Sequence, residues 1–220
     1  MSRDQVEHEI QAELDEQLSR SPSVAQAYVS IGYRAMIDLN EEKAIQAFQK
    51  AAHAEPDLAS PHQFLGLICA DKGEDETAVK HFQHCIKLSC NGLDLAITEE
   101  NPYYHMGWCL ENLNQFEAAE TILIEGIKKV PSHYKTYLKL ARLYHQQGKY
   151  EAAVTIYEAA LDAISAHTQE PPGDNVLDVI EGADIIRKLV KEEKESILRT
   201  IELNLRRARS GHSYQEIPDP

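Results

Sequence analysis

Gly32, Gly66 and Gly107, with Ala141 standing in for a fourth, are spaced 34, 41 and 34 residues apart, each in a similar apolar neighbourhood. A period in that range marks a chain built from stacked copies of one supersecondary unit, none of which can bury its apolar face alone. Within each copy the apolar residues recur at intervals of three and four, which puts them on one face of a helix. A turn signal splits each copy: Asn40, Gly73, Asn112 to Asn114, and Gly148. The spacing therefore predicts two antiparallel helices per copy and an all-α fold. Where the two helices cross, small residues let the backbones approach, and Gly32 with Ala44, Gly66 with Ala78, and Gly107 with Ala119 are expected to supply such pairs. Phe48, Phe82, Leu123 and Tyr157 are expected to fill the space toward the following copy. Ser21-Pro22, Ser60-Pro61 and Asn101-Pro102 each offer a capping side chain before a proline and are expected to start helices.

The register holds across all four copies. Laid out from Ala25, the first presents Tyr28, Ile31, Gly32, Ala35, Ala44, Phe48, Ala51 and Pro56. From Ala59 the same places hold His62, Leu65, Gly66, Cys69, Ala78, Phe82, Cys85 and Cys90. From Glu100 they hold Tyr103, Met106, Gly107, Leu110, Ala119, Leu123, Gly126 and Pro131, and from Tyr134 they hold Tyr137, Leu140, Ala141, Tyr144, Ala153, Tyr157 and Ala160. This pattern resembles the tetratricopeptide repeat, with its W-x2-L-G-x2-Y, A-x3-F and P spacing. The repeats then occupy 25–58, 59–92, 100–133 and 134–167, with an insertion at 93–99 that accounts for the single longer interval.

The resemblance implies a right-handed superhelical array of helix-turn-helix repeats whose concave wall, made by the first helix of each pair, holds a segment of a partner protein. In the family that groove is lined by the second, fifth, ninth and twelfth places of each repeat. Carried over, these are Gln26, Val29, Tyr33 and Met36; Ser60, Gln63, Leu67 and Ala70; Asn101, Tyr104, Trp108 and Glu111; and Lys135, Leu138, Arg142 and His145. The expected partner-binding set is Val29, Tyr33, Met36, Gln63, Leu67, Tyr104, Trp108, Lys135, Leu138, Lys139, Arg142 and His145. It runs from apolar through aromatic to basic, so the expected ligand is a peptide or helix with an apolar or aromatic anchor and acidic residues on one side. One subset of these repeats clamps the acidic C-terminal tails of chaperones. Lys135 and Lys139 match part of that clamp, but Gln63, Leu67 and His105 stand where its other polar contacts belong.

Composition narrows the function further. The chain has a formal net charge of −14 and a pI near 5.1, which argues against nucleic acid or an anionic membrane as the main partner, since both are bound by clustered Lys and Arg. Met1 to Arg20 carries six acids and two basic residues and no apolar core, so a secretory leader is not expected there. The expected location is cytoplasmic. Cys69, Cys85, Cys90 and Cys109 lack paired spacing and read as reduced, small apolar core residues. His81, His84 and Cys85 share one helical turn, but the cysteine takes an inward place and the histidines an outer one. No metal site and no cofactor are expected. No nucleophile elbow, zinc-protease helix or phosphate loop occurs, so the chain is not expected to be an enzyme.

The flanks complete the expected organisation. Val6, Ile10, Leu14 and Leu18 form a narrow apolar stripe on an acidic N-terminal helix within residues 1–24, placed to cover the first repeat. After the break at Pro171-Pro172-Gly173, residues 174–209 read as a C-terminal capping or oligomerisation helix, and 210–220 as a disordered tail. The second half of that helix carries Ile197, Leu198, Ile201 and Leu205, for which the repeats offer no obvious partner; a homodimer through this helix is one expectation. The function expected first is a protein-interaction adaptor, and the alternative is a structural assembly subunit that self-associates through its flanking helices.

Overall fold

The computed structural model describes residues 3–89, 101–167 and 183–212, which contain ten helices and no strand. They are α1 (Arg3–Leu18), α2 (Val24–Ile37), α3 (Glu41–Ala54), α4 (Ala59–Asp71), α5 (Asp75–Ser89), α6 (Pro102–Asn112), α7 (Phe116–Lys129), α8 (Tyr134–Gln146), α9 (Tyr150–His167) and α10 (Ala183–Arg209). The insertion at 93–99, Cys90, the Pro171-Pro172-Gly173 break and the tail from 213 lie outside the described residues. The chain forms two compact units that divide within α7, one up to Ala119 and one from Glu120.

Four turns of one design join the helix pairs. Each places one residue in the left-handed region: Leu39 at φ 56°, Gly73 at 72°, Asn114 at 58° and Gly148 at 72°. The following amide then reaches back to the carbonyl five residues earlier, Asn40 to Ala35, Glu74 to Cys69, Gln115 to Leu110 and Lys149 to Tyr144, at 2.8 to 2.9 Å. This closure satisfies carbonyls that the helix end leaves without partners. The next helix starts at once, because the carbonyls of Asn40, Glu74, Gln115 and Lys149 accept from Ala44, Ala78, Ala119 and Ala153. Glycine adopts such a φ freely and asparagine tolerates it, whereas a leucine is strained there. Leu39 is also 91% exposed, so burial does not offset that strain.

The helix crossings correct one expectation. A Cβ on Gly32 would stand 2.6 Å from the ring of Phe48, and one on Gly66 2.7 Å from the ring of Phe82; the glycines make room for the phenylalanines rather than for Ala44 and Ala78. Both rings are fully buried. Phe48 also stacks on Phe64 at 4.9 Å and packs with Leu65 and Ile68 of the following pair, so one ring closes its own repeat and seats the next. Helix starts differ in detail as well. Asn101 caps α6 through the amide of Tyr103 at 2.9 Å, as the Asn-Pro pair indicates. The cap of α2, in contrast, is Ser23 rather than Ser21-Pro22, and Ser60-Pro61 lies inside the first turn of α4, whose cap position is Leu58 with no side-chain bond.

Each unit ends on a helix that hides an apolar face. In the first, Val6, Ile10 and Leu14 of α1 pack on Ala27, Ile31 and Ala47. Lys43 bonds Glu13 at 2.6 Å and lies 3.6 Å from Glu9, and Lys50 bonds Glu7. In the second unit, Ile201, Leu205 and Ala208 of α10 join Ala141, Ala153, Tyr157 and Ile164, with Leu198 packed against them. Leu198, Ile201 and Leu205 of the C-terminal stripe thus have partners inside the chain, in α8 and α9, where the sequence showed none. The α10 helix ends at Gly211, φ 66°, with His212 donating back to Arg207 at 2.9 Å, which repeats the closure of the four turns. Residues 210–212, expected to open a disordered tail, instead form this turn.

Three histidines meet across α4 and α5. His62 Nδ1 lies 3.4 Å from His81 Nδ1, and its ring centroid is 4.2 Å from that of His84. Burial and then the neighbouring His84 and His81 push the His62 pKa down to about 4, and burial with His84 lowers that of His81. His62 and His81 are therefore neutral at pH 7. Burial pushes the Cys85 thiol up to about 11 and raises that of Cys69, so neither is a thiolate at neutral pH.

Three outcomes follow from this packing. Gly66→Ala should lower unfolding stability by about 1–3 kcal/mol, because the buried Phe82 ring must shift; a thermal midpoint equal to wild type would show that the ring moves freely. Leu39→Asn should raise stability by about 0.5–1 kcal/mol by relieving left-handed strain at a side chain that buries almost nothing, read by urea denaturation. A histidine whose folded pKa lies below its unfolded value stabilises above the unfolded pKa and loses that contribution as pH falls. His62 should thus contribute above pH 6.5 and lose its contribution on the way to about pH 4. His62→Gln should flatten the stability curve over that window relative to wild type.

Candidate functional site

The first helices of the repeats carry the expected binding residues, and the structure sorts them by what remains open. In the first unit, Tyr33 of α2 is 53% exposed, with its ring 5.8 Å from Phe64. Val29 and Met36 are half-buried one turn away on the same helix. Gln63 and Leu67 of α4 are buried. On α6, Trp108 is 45% exposed; its ring meets Tyr104 edge-on at 6.3 Å, and Tyr104 in turn meets His105 at 5.1 Å. The helix period puts Tyr104 and Trp108, four residues apart, on one face.

In the second unit Lys135, Leu138 and Arg142 of α8 are half-buried, but Lys139 and His145 are buried at 4% and 1%. The expected basic end is therefore narrower than the sequence indicates. His145 is covered by the chain itself: its Nε2 lies 2.7 Å from the His212 carbonyl and donates to it, and its ring stands edge-on to Tyr150 and Tyr157. Beside it, Tyr144 donates to Glu120 at 3.0 Å, and burial together with that carboxylate pushes its phenol up to about 12.

Sequence reasoning missed three exposed apolar side chains, Val24 at the start of α2 and Ile37 and Leu39 at the turn that follows it. Asn40 was the visible turn signal, yet it serves as the cap of α3, accepting from Lys43 at 3.3 Å, and Leu39 is the residue that turns the chain. It also missed His62, which stands on the helix before His81 and His84. Among the described residues no group of three His, Cys, Asp or Glu side chains is arranged to hold a metal ion, and none of the described helices is long and apolar enough to cross a membrane.

Comparison with known proteins addresses the fold. Family models described as tetratricopeptide repeat match residues 59–89 and 106–168. Among solved structures, MamA is similar at 19% identity and a TM-score of 0.59, over 75% of this chain and 92% of its own. Yeast Tom70 is similar at 20% identity and a TM-score of 0.55, over 66% of this chain but 32% of Tom70. PilW, a type IV pilus biogenesis factor, is similar at 18% identity and a TM-score of 0.54, over 74% of this chain and 72% of PilW. At these identities the likeness is one of fold. Taken with the two family matches and the four helix pairs closed by one turn design, it shows that this chain carries tetratricopeptide repeats in an all-α repeat array.

Proposed function

We propose that the chain is a non-enzymatic interaction scaffold that binds a peptide or helix of another protein against the first helices of its repeats. The observation that carries this reading is the pair of aromatic side chains left open there, Tyr33 and Trp108. Large aromatic rings gain most from burial, and Trp and Tyr dominate the energetics of protein interfaces. Trp108 stands edge-on to Tyr104, so the two rings offer one aromatic surface. Val29 and Met36 extend the apolar surface beside Tyr33 in the first unit; in the second unit, taken by itself, Lys135 and Arg142 of α8 are half-buried basic side chains in an otherwise acidic protein. A partner segment with an aromatic or aliphatic anchor and acidic residues on one side fits that chemistry. A scaffold role also suits the thiols, held protonated by burial.

Trp108 is the only tryptophan of the chain, so its emission reports binding directly. A partner captured from native lysate should move that emission to shorter wavelength as the ring leaves water. Trp108→Ala should weaken the complex by about 2 kcal/mol or more. Arg142→Ala should cost about 1 kcal/mol and make affinity less sensitive to salt. Titration of the captured partner against both variants decides the matter, and affinities unchanged by both would remove the first helices as the interface.

A further inference from the structure

The turn between α2 and α3 departs from the other three. They place Gly73, Asn114 and Gly148 in the left-handed region, residue types that accept it, whereas this one places Leu39 there. Leu39 is 91% exposed and Ile37 beside it is 66% exposed. A strained backbone that holds a large apolar side chain in water stabilises nothing in the isolated fold. Strain of this kind collects where a binding surface depends on it.

Beneath Leu39 lies a cleft of about 190 Å³ lined by Met36, Leu39, Glu41, Ala44, Ile68 and Asp71. Its floor is apolar: Ala44 is fully buried and Ile68 nearly so. Its rim is acidic, with Glu41 and Asp71 on it and Asp38 next to Leu39 in the chain. Lys72 stands among these acids, 2.9 Å from Glu41 and 3.8 Å from Glu74. An apolar floor with an acidic rim selects one kind of ligand by charge complementarity.

We infer that the α2–α3 turn is a second docking site, at which Leu39, Met36 and Ile68 receive an aliphatic or aromatic side chain of a partner protein while Glu41 and Asp71 receive an adjacent Lys or Arg. This site takes a basic partner segment, opposite in charge to the one proposed for the first helices; it shares Met36 with that surface but neither Tyr33 nor Trp108, and does not depend on that proposal.

The test uses the full chain and three short synthetic peptides: a Leu flanked by Lys and Arg, the same Leu flanked by Glu, and the basic peptide with Ser in place of Leu. Binding is followed by NMR shifts of the Met36, Leu39 and Ile68 methyl groups. The first peptide should shift these methyls, and the other two should bind at least about tenfold more weakly. Leu39→Asn, which relieves the strain, should leave the protein folded and at least as stable while weakening the first peptide at least about tenfold. Glu41→Gln with Asp71→Asn should reduce its preference over the acidic peptide. Trp108→Ala should leave this binding unchanged, which separates the two sites. Equal binding of the basic and acidic peptides, full affinity in Leu39→Asn, or loss of binding in Trp108→Ala would each overturn the assignment. So would a rise of mass with wild-type concentration that Leu39→Asn abolishes, because it would give the surface to a second copy of this chain.

Discussion

The rings of Phe48 and Phe82 occupy the space where a side chain would begin on Gly32 and Gly66, and the helix pairs of the first unit are built around that contact. A Cβ so near an aromatic carbon requires the ring to shift, and a fully buried ring has little room to do so. The contact reaches in two directions. On one side it sets how closely α2 approaches α3; on the other, Phe48 presents its face to Phe64, so the next pair is seated by the same atoms. A repeat protein gains its stability from such neighbour interfaces, and here the interface and the internal crossing share one residue.

Much of this was legible in the sequence, and the limits have a physical cause. Helix pairs follow from local periodicity, and turn positions from the recurring punctuation, because both depend on residues a few places apart. What the glycines face was misread: a motif gives spacing, and only coordinates show whether a glycine admits an alanine or a ring. The helix cap at Ser23 in place of Ser21-Pro22 is a shift of two residues, within the range where boundary signals compete. The partners of the C-terminal stripe within the chain were not visible because Ala153 and Tyr157 lie some forty to fifty residues away and look complete within their own repeat.

The candidate site was less legible than the fold. Family places say which helix face is expected to meet a partner, and Tyr33 and Trp108, two of the residues at those places, stand open. Whether a place is open also depends on what the chain lays over it. Lys139 and His145 look like surface cations in sequence, but the residues after α10 close over His145, a contact spanning 67 positions. Leu39 shows the opposite failure: nothing in a leucine beside an asparagine signals a left-handed backbone, because composition normally argues against it.

The helix that opens the chain is held differently from the one that closes it. α10 is seated by a broad apolar cluster with an ion pair, Arg209 to Glu158, whereas α1 combines three apolar side chains with three carboxylates arranged around Lys43 and Lys50. Charge pairs that face solvent weaken as counterions accumulate, while apolar contacts do not. More of the contacts of α1 than of α10 are therefore open to ionic strength, chiefly the Lys50–Glu7 pair, because Lys43 is largely shielded. In concentrated salt α1 should open more readily than the rest of the first unit, with the amides of Glu7 to Leu14 expected to exchange with solvent ahead of the global transition. The surface uncovered by that opening is the face of Ala27, Ile31 and Ala47, so the same residues that complete the first repeat in dilute buffer become an adhesive edge in brine.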